Sequence, residues 1–122
     1  VSGDTLQSYI QNCIDTQSIA FDLVVPMAPG PERAAEMHTN ITGLLIEAAE
    51  VSMEIEWKPW RESNGLVNHG KLVEELADVM RFTLNIAAHA GITGEELNNA
   101  FLETSRKTIR RTVEVQPELP FN

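Results

Sequence analysis

Cysteine is almost missing from this chain: Cys13 stands alone among 122 residues. A single thiol excludes an intrachain disulfide and a cysteine-rich zinc site. It leaves Cys13 to serve as a small buried hydrophobe. Positive charge is also scarce, with 9 Lys and Arg against 18 Asp and Glu, a net charge of -9. A protein that neutralises phosphates along a nucleic-acid polymer needs the opposite balance, so that class is excluded. A nucleotide enzyme is not, because carboxylates can hold metal ions that in turn hold phosphates. Long apolar runs are absent, which excludes a membrane span of ~20 residues. The N-terminus Val1-Ser2-Gly3-Asp4 has neither a basic region nor an apolar core. No signal peptide is therefore read, and the expected compartment is the cytoplasm. Internal repeats and low-complexity tracts are also lacking.

What is present fits one globular domain over residues 1–122. The chain is 43% hydrophobic and 22% charged, which is ordinary for a folded protein. Helical periodicity and breakers divide it into four segments. The first covers residues 4–24, ended by Pro26, Pro29 and Gly30. The second covers 32–57, started by Pro31 and stopped by Pro59. The third covers 71–90, with Gly91 as its C-terminal stop. The fourth covers 94–112, opened by a capping box of Thr93 and Glu96. Residues 113–122, with Pro117 and Pro120, read as an extended tail. No segment alternates as a strand does. The predicted fold is all-α, a four-helix bundle.

The excess carboxylates are not scattered. Glu47, Glu50 and Glu54 share a stripe about 60° wide on the second helix. On the third, Glu75 and Asp78 share a face, and Leu72, Val79, Phe82 and Ile86 lie within about 60° of Glu75. Glu75 is thus placed inside an apolar sector, where a carboxylate is costly unless paired or bound to metal. Two helices each carrying a carboxylate pair would repel across a bundle, and a divalent cation resolves that conflict. All-oxygen ligation selects Mg²⁺, with Mn²⁺ as the alternative, over zinc. A di-iron site needs Glu-x-x-His on two helices, and neither His38, His69 nor His89 follows a Glu by three.

At Glu47-Ala48-Ala49-Glu50 and Glu75-Leu76-Ala77-Asp78 the chain resembles the MazG-like, all-α nucleoside triphosphate pyrophosphohydrolases, which include the dimeric dUTPases. The lead-in His38-Thr39-Asn40-Ile41-Thr42-Gly43-Leu44-Leu45 adds to the likeness, which spans about residues 35–111. The resemblance implies a MazG-type bundle completed by a homodimer or homotetramer. It implies Mg²⁺-dependent hydrolysis of a (deoxy)nucleoside triphosphate to monophosphate and pyrophosphate, as nucleotide-pool housecleaning. Glu47, Glu50, Glu75 and Asp78 match the family's metal ligands, Glu54 an acidic position of the dUTPase branch. Glu47 or Glu50 would be the general base.

Substrate contacts are expected from Lys58, which matches a family Lys, and from Lys107 and Arg111, an i, i+4 pair matching the family's late Lys and Arg. Trp57 and Trp60 can stack a base, and His38 and Asn40 can reach a base or ribose. Two positions depart from the family: Ile46 stands where many members carry a further Glu, and Thr104 where many carry Asn. Specificity for dUTP therefore does not follow from the resemblance. Two other readings fit the same residues. One is a non-catalytic helical-bundle interaction protein with solvated acidic faces. The other is a related pyrophosphohydrolase acting on a phosphoribosyl-ATP-like substrate.

Overall fold

A computed structural model describes residues 3–55 and 65–115. Four helices follow one another: α1 (Gly3–Phe21), α2 (Pro31–Met53), α3 (His69–His89) and α4 (Gly94–Val115). The described residues contain no strand; Ile55 and Val67 form one isolated antiparallel bridge. The all-α expectation holds, and the boundaries need four corrections. Helix α1 stops at Phe21, not 24, because Asp22 turns into the left-handed region (φ 56) and donates its N–H to the Ser18 carbonyl. Helix α2 stops at Met53, not 57: Glu54 caps it, and its carbonyl accepts the Asn68 N–H at 3.1 Å. Helix α3 starts two residues early, at His69, because the Asn68 side chain accepts the Lys71 N–H. Helix α4 runs on to Val115, through the first residues of the expected tail. Its capping box forms as read: Thr93 Oγ1 accepts from Glu96 N–H, and Glu96 Oε1 accepts from Thr93 N–H, both at 3.1 Å.

The core lies between α1 and the second half of α3. Ile10 and Cys13 on α1 meet Leu84, Ala87 and Ala88 on α3, with Val25 from the connection. Ile14, Leu23, Ile92 and Leu97 pack around them. The spacing of Ile10, Cys13 and Gln17 is i, i+3, i+7, one face of a helix. Helix α4 joins through its first turn. A Cβ on Gly94 would strike the backbone of Gly3 and Gln7, so only glycine lets α4 seat so close to α1.

Helices α2 and α3 run antiparallel, and their register positions the site. Asn40 faces Asn85, with Asn85 Nδ2 donating to Asn40 Oδ1 at 3.0 Å. Gly43 faces Phe82, whose ring occupies the space where a Cβ would stand. One further turn along, Glu47 faces Glu75 and Asp78. Gly43→Ala is expected to lower Tm. A gain of about 1 kcal/mol in helix propensity is outweighed by overpacking against Phe82, typically ~1–3 kcal/mol. Thermal unfolding followed by circular dichroism measures the net sign.

Candidate metal centre and adjoining cleft

One oxygen each from Glu47, Glu75 and Asp78 lies within 4.8 Å of the others. Glu47 projects from α2; Glu75 and Asp78 project from α3 and are three residues apart, so they share a face. Asp78 is exposed, whereas Glu47 and Glu75 are half-buried. Glu47 Oε2 and Glu75 Oε2 are themselves buried and accept no hydrogen bond. Burial pushes the Glu47 carboxyl up from 4.5 to about 7, helped by the close approach of Glu75 and Glu50 and by the charge of Asp78. Burial raises Glu75 as well; a hydrogen bond from Glu47 opposes this, and Glu50 and Asp78 add to the rise. Buried carboxylate oxygens without donors, converging from two helices, match the donor set of a hard divalent cation. Nothing in this arrangement favours a soft metal.

Glu50 lies one turn along α2 and is close enough to raise both Glu47 and Glu75. It is not part of the three-oxygen group. Glu54 sits at the α2 C-cap, also outside that group. It shares a sequence stripe with Glu47 and Glu50, but the helix ends before reaching it.

The raised Glu47 carboxyl has a consequence for stability without metal. Between pH 4.5 and about 7 the native Glu47 keeps a proton that the unfolded chain has lost. Stability from this group is therefore full below 4.5 and is lost as pH rises through 7. In a chelator, Tm is expected to fall from pH 5 to pH 8 with a slope that Glu47→Gln flattens. The Mg²⁺-induced rise in Tm is expected to be larger at pH 8, since metal and proton compete. Differential scanning fluorimetry across that range checks both.

Two turns from the carboxylates, a cleft of about 480 Å³ opens between α1, α2 and α3. Its walls include Gln17 and Phe21, Glu36 and Asn40, and Phe82 and Asn85. Two polar chains cross this region. In the first, Asn40 Nδ2 donates to the Glu36 carbonyl at 2.9 Å and Asn40 Oδ1 accepts from Asn85. In the second, Gln17 Nε2 donates to the Cys13 carbonyl at 3.2 Å, and Gln17 Oε1 meets His89 Nε2 at 2.8 Å. A backbone carbonyl can only accept, so Gln17 Oε1 faces His89, and Nε2 of His89 carries the proton. His89 is wholly buried. Burial holds its imidazole below the usual value; Glu36 opposes this and Arg33 adds to it.

Of the residues expected to contact substrate, Asn40 is buried and lines the cleft. His38 is exposed on α2 and is not among the cleft walls. Trp57, Lys58 and Trp60 lie outside the described residues. Lys107 and Arg111 are exposed on α4, which packs against α1 and not against α2 or α3. They stand on a helix separate from the carboxylates. Sequence reading missed Asn85, Gln17 and Phe82 as cleft residues. The available signal was Asn85 itself, a polar side chain inside the run from Phe82 to Ala88.

No helix among the described residues is long and apolar enough to cross a membrane. Comparison with curated proteins and with solved structures gives no match. Comparison with protein families matches residues 5–117 to the family described as dUTPase. The two carboxylate pairs fall inside that match, on adjacent antiparallel helices. The chain therefore belongs to the dUTPase family, one of the all-α, MazG-like group of nucleoside triphosphate hydrolases.

Proposed function

We propose that this protein is a divalent-metal-dependent pyrophosphohydrolase that converts a (deoxy)nucleoside triphosphate to its monophosphate and pyrophosphate. The observation that carries this is the convergence of Glu47, Glu75 and Asp78 with two buried, unpartnered oxygens, two turns from an open cleft. Glu47, Glu75 and Asp78 would hold the cation, Mg²⁺ or Mn²⁺. A bound cation there neutralises phosphate charge and makes a water more acidic. Glu50 borders the group without belonging to it, so it is assigned the proton of the attacking water. Asn40, Asn85 and the Phe82 ring hold the nucleoside in the cleft, and the triphosphate extends the two turns along α2 and α3 to the carboxylates. That span is ~10.5 Å, a distance that a sugar and phosphate chain covers.

The working form is a homodimer or homotetramer in the cytoplasm, in a housecleaning role. Large apolar side chains are exposed on all four helices: Ile19 and Phe21 on α1, Leu45, Ile46 and Met53 on α2, Leu76 on α3, and Phe101 and Ile109 on α4. A surface this apolar favours association. The test is release of pyrophosphate from a panel of NTPs and dNTPs with Mg²⁺. Release is expected to stop in a chelator and to resume with added metal. Absence of release from every triphosphate would sink the enzyme reading and favour a binding role.

A further inference from the structure

Arg81 carries a positive charge into an acidic neighbourhood, and among the described residues it makes no ion pair. It stands on α3 three residues past Asp78 and four before Asn85, ~4.5 Å along the helix from the first and ~6 Å from the second. The cleft of about 480 Å³ counts Arg81 among its walls. A second cavity, of about 240 Å³ between α1 and α3, is walled by Tyr9, Cys13, Asp78 and Arg81. Arg81 alone lines both, so it marks where the cleft gives way to the carboxylates. Its guanidinium is drawn toward α1. Nη2 donates to Asn12 Oδ1 at 2.9 Å, and Nη1 donates to Cys13 Sγ at 3.7 Å. Both partners are neutral, so they hold the charge in place without cancelling it. Two of the five N–H groups are taken; the others have no partner among the described residues, and Arg81 is exposed. No other Lys or Arg among the described residues is placed this way. Lys71 lies beyond Glu75, on the side away from the cleft, and Arg33 precedes the cleft residues of α2. The remaining four are on α4, which packs against α1 alone.

We infer that Arg81 anchors the phosphate nearest the sugar, the α-phosphate of the nucleotide whose nucleoside lies in the cleft. The inference rests on the proposed nucleoside triphosphate substrate. A triphosphate running along α3 from Asn85 toward Asp78 passes Arg81 before it reaches the cation site, and the phosphate at that level is the one joined to the sugar. Without Arg81 that phosphate would enter between Glu36 in the cleft wall and the exposed Asp78, where like charges repel. A guanidinium answers this with a fixed charge and a planar fork that fits two phosphate oxygens. The α-phosphate stays with the monophosphate after hydrolysis. Arg81 therefore holds the substrate and the nucleotide product, and does not hold the pyrophosphate.

Calorimetry with Mg²⁺ tests it, using pyrophosphate, deoxyuridine and dUMP, and the deoxynucleoside and monophosphate of adenine, cytosine, guanine and thymine. The wild type is expected to bind a monophosphate at least about tenfold tighter than its nucleoside. In Arg81→Gln that preference is expected to fall to about twofold or less. Nucleoside and pyrophosphate should keep their affinities, and the Mg²⁺-induced rise in Tm should survive, showing that the fold and the carboxylates are intact. The kcat/KM for the triphosphate is expected to drop about 100-fold. Arg81→Lys keeps the charge without the fork and should fall between the two. Asn12→Ala separates substrate binding from a mere tie between α1 and α3. A tie predicts that Asn12→Ala and Arg81→Gln lower Tm alike and weaken nucleoside and monophosphate equally, and that result overturns the inference. So does a preference unmoved in Arg81→Gln or, should that variant not fold, in Arg81→Lys. Either outcome leaves the hydrolase reading in place where the wild type releases pyrophosphate. An Arg81-dependent preference for monophosphate, with no triphosphate hydrolysed, keeps the anchor and overturns the hydrolase reading. Binding of no nucleotide overturns both.

Discussion

Glu75→Ala is expected to abolish the rise in Tm that Mg²⁺ produces and to lower kcat/KM about 1000-fold. Glu75 is the only one of the three grouped carboxylates placed among the apolar side chains of α3 by its position on the helix. Its buried oxygen has no donor, so the native protein without metal holds a repulsion that the variant relieves. The two effects should therefore have opposite signs. Without metal, Glu75→Ala is expected to melt no lower than the wild type, while with metal it melts lower. A loss of activity caused by misfolding would lower both. The thousandfold figure follows from losing one charged oxygen of the cation site, where transition-state charge is neutralised. Fluorimetry with and without Mg²⁺, paired with pyrophosphate release, separates the outcomes. Hydrolysis that survives Glu75→Ala would remove the carboxylates from the mechanism.

The second large effect is expected from Glu50→Gln. Glu50 neighbours Glu47 and Glu75 without joining their three-oxygen group. A glutamine there keeps size and polarity but cannot take a proton. The expected loss is in kcat, on the order of 10²–10⁴-fold, with KM and the Mg²⁺-induced rise in Tm preserved. Glu75→Ala and Glu50→Gln thus differ in a way that activity alone does not report: one loses the metal response and the other keeps it. Loss of the metal response in Glu50→Gln would make Glu50 a fourth ligand and return the base to Glu47. Both substitutions remove one negative charge from the same cluster, so a difference between them cannot be a net-charge effect.

Much of this arrangement is legible in the order of the residues. The two Glu-x-x-acid tetrads, Glu47/Glu50 and Glu75/Asp78, can be placed on neighbouring helices because their spacing matches a helical face. The Thr93–Glu96 box can be read because capping uses side chains three residues apart. The end of α2 cannot. No glycine or proline stands between Met53 and Pro59, so the periodic pattern runs on past Met53. What stops the helix is the pairing of Glu54 and Ile55 with Asn68 and Val67, more than ten residues away. The same correction moves Glu54 from the acidic stripe to a cap. Lys107 and Arg111 match family positions in sequence, yet the packing of α4 against α1 sets them apart from the carboxylates.

Sequence alone determined the helices, the acidic pairs and the class of ion they can hold. These depend on residue type and on spacings of three and four, which local backbone geometry converts directly into faces. Only the tertiary structure decided which carboxylates meet, which one stands aside, and that a cleft lies two turns away. It alone oriented the Asn40 and Asn85 amides, because a side-chain amide has two ends of opposite character. Which end meets which neighbour depends on a carbonyl of one helix and a partner on another.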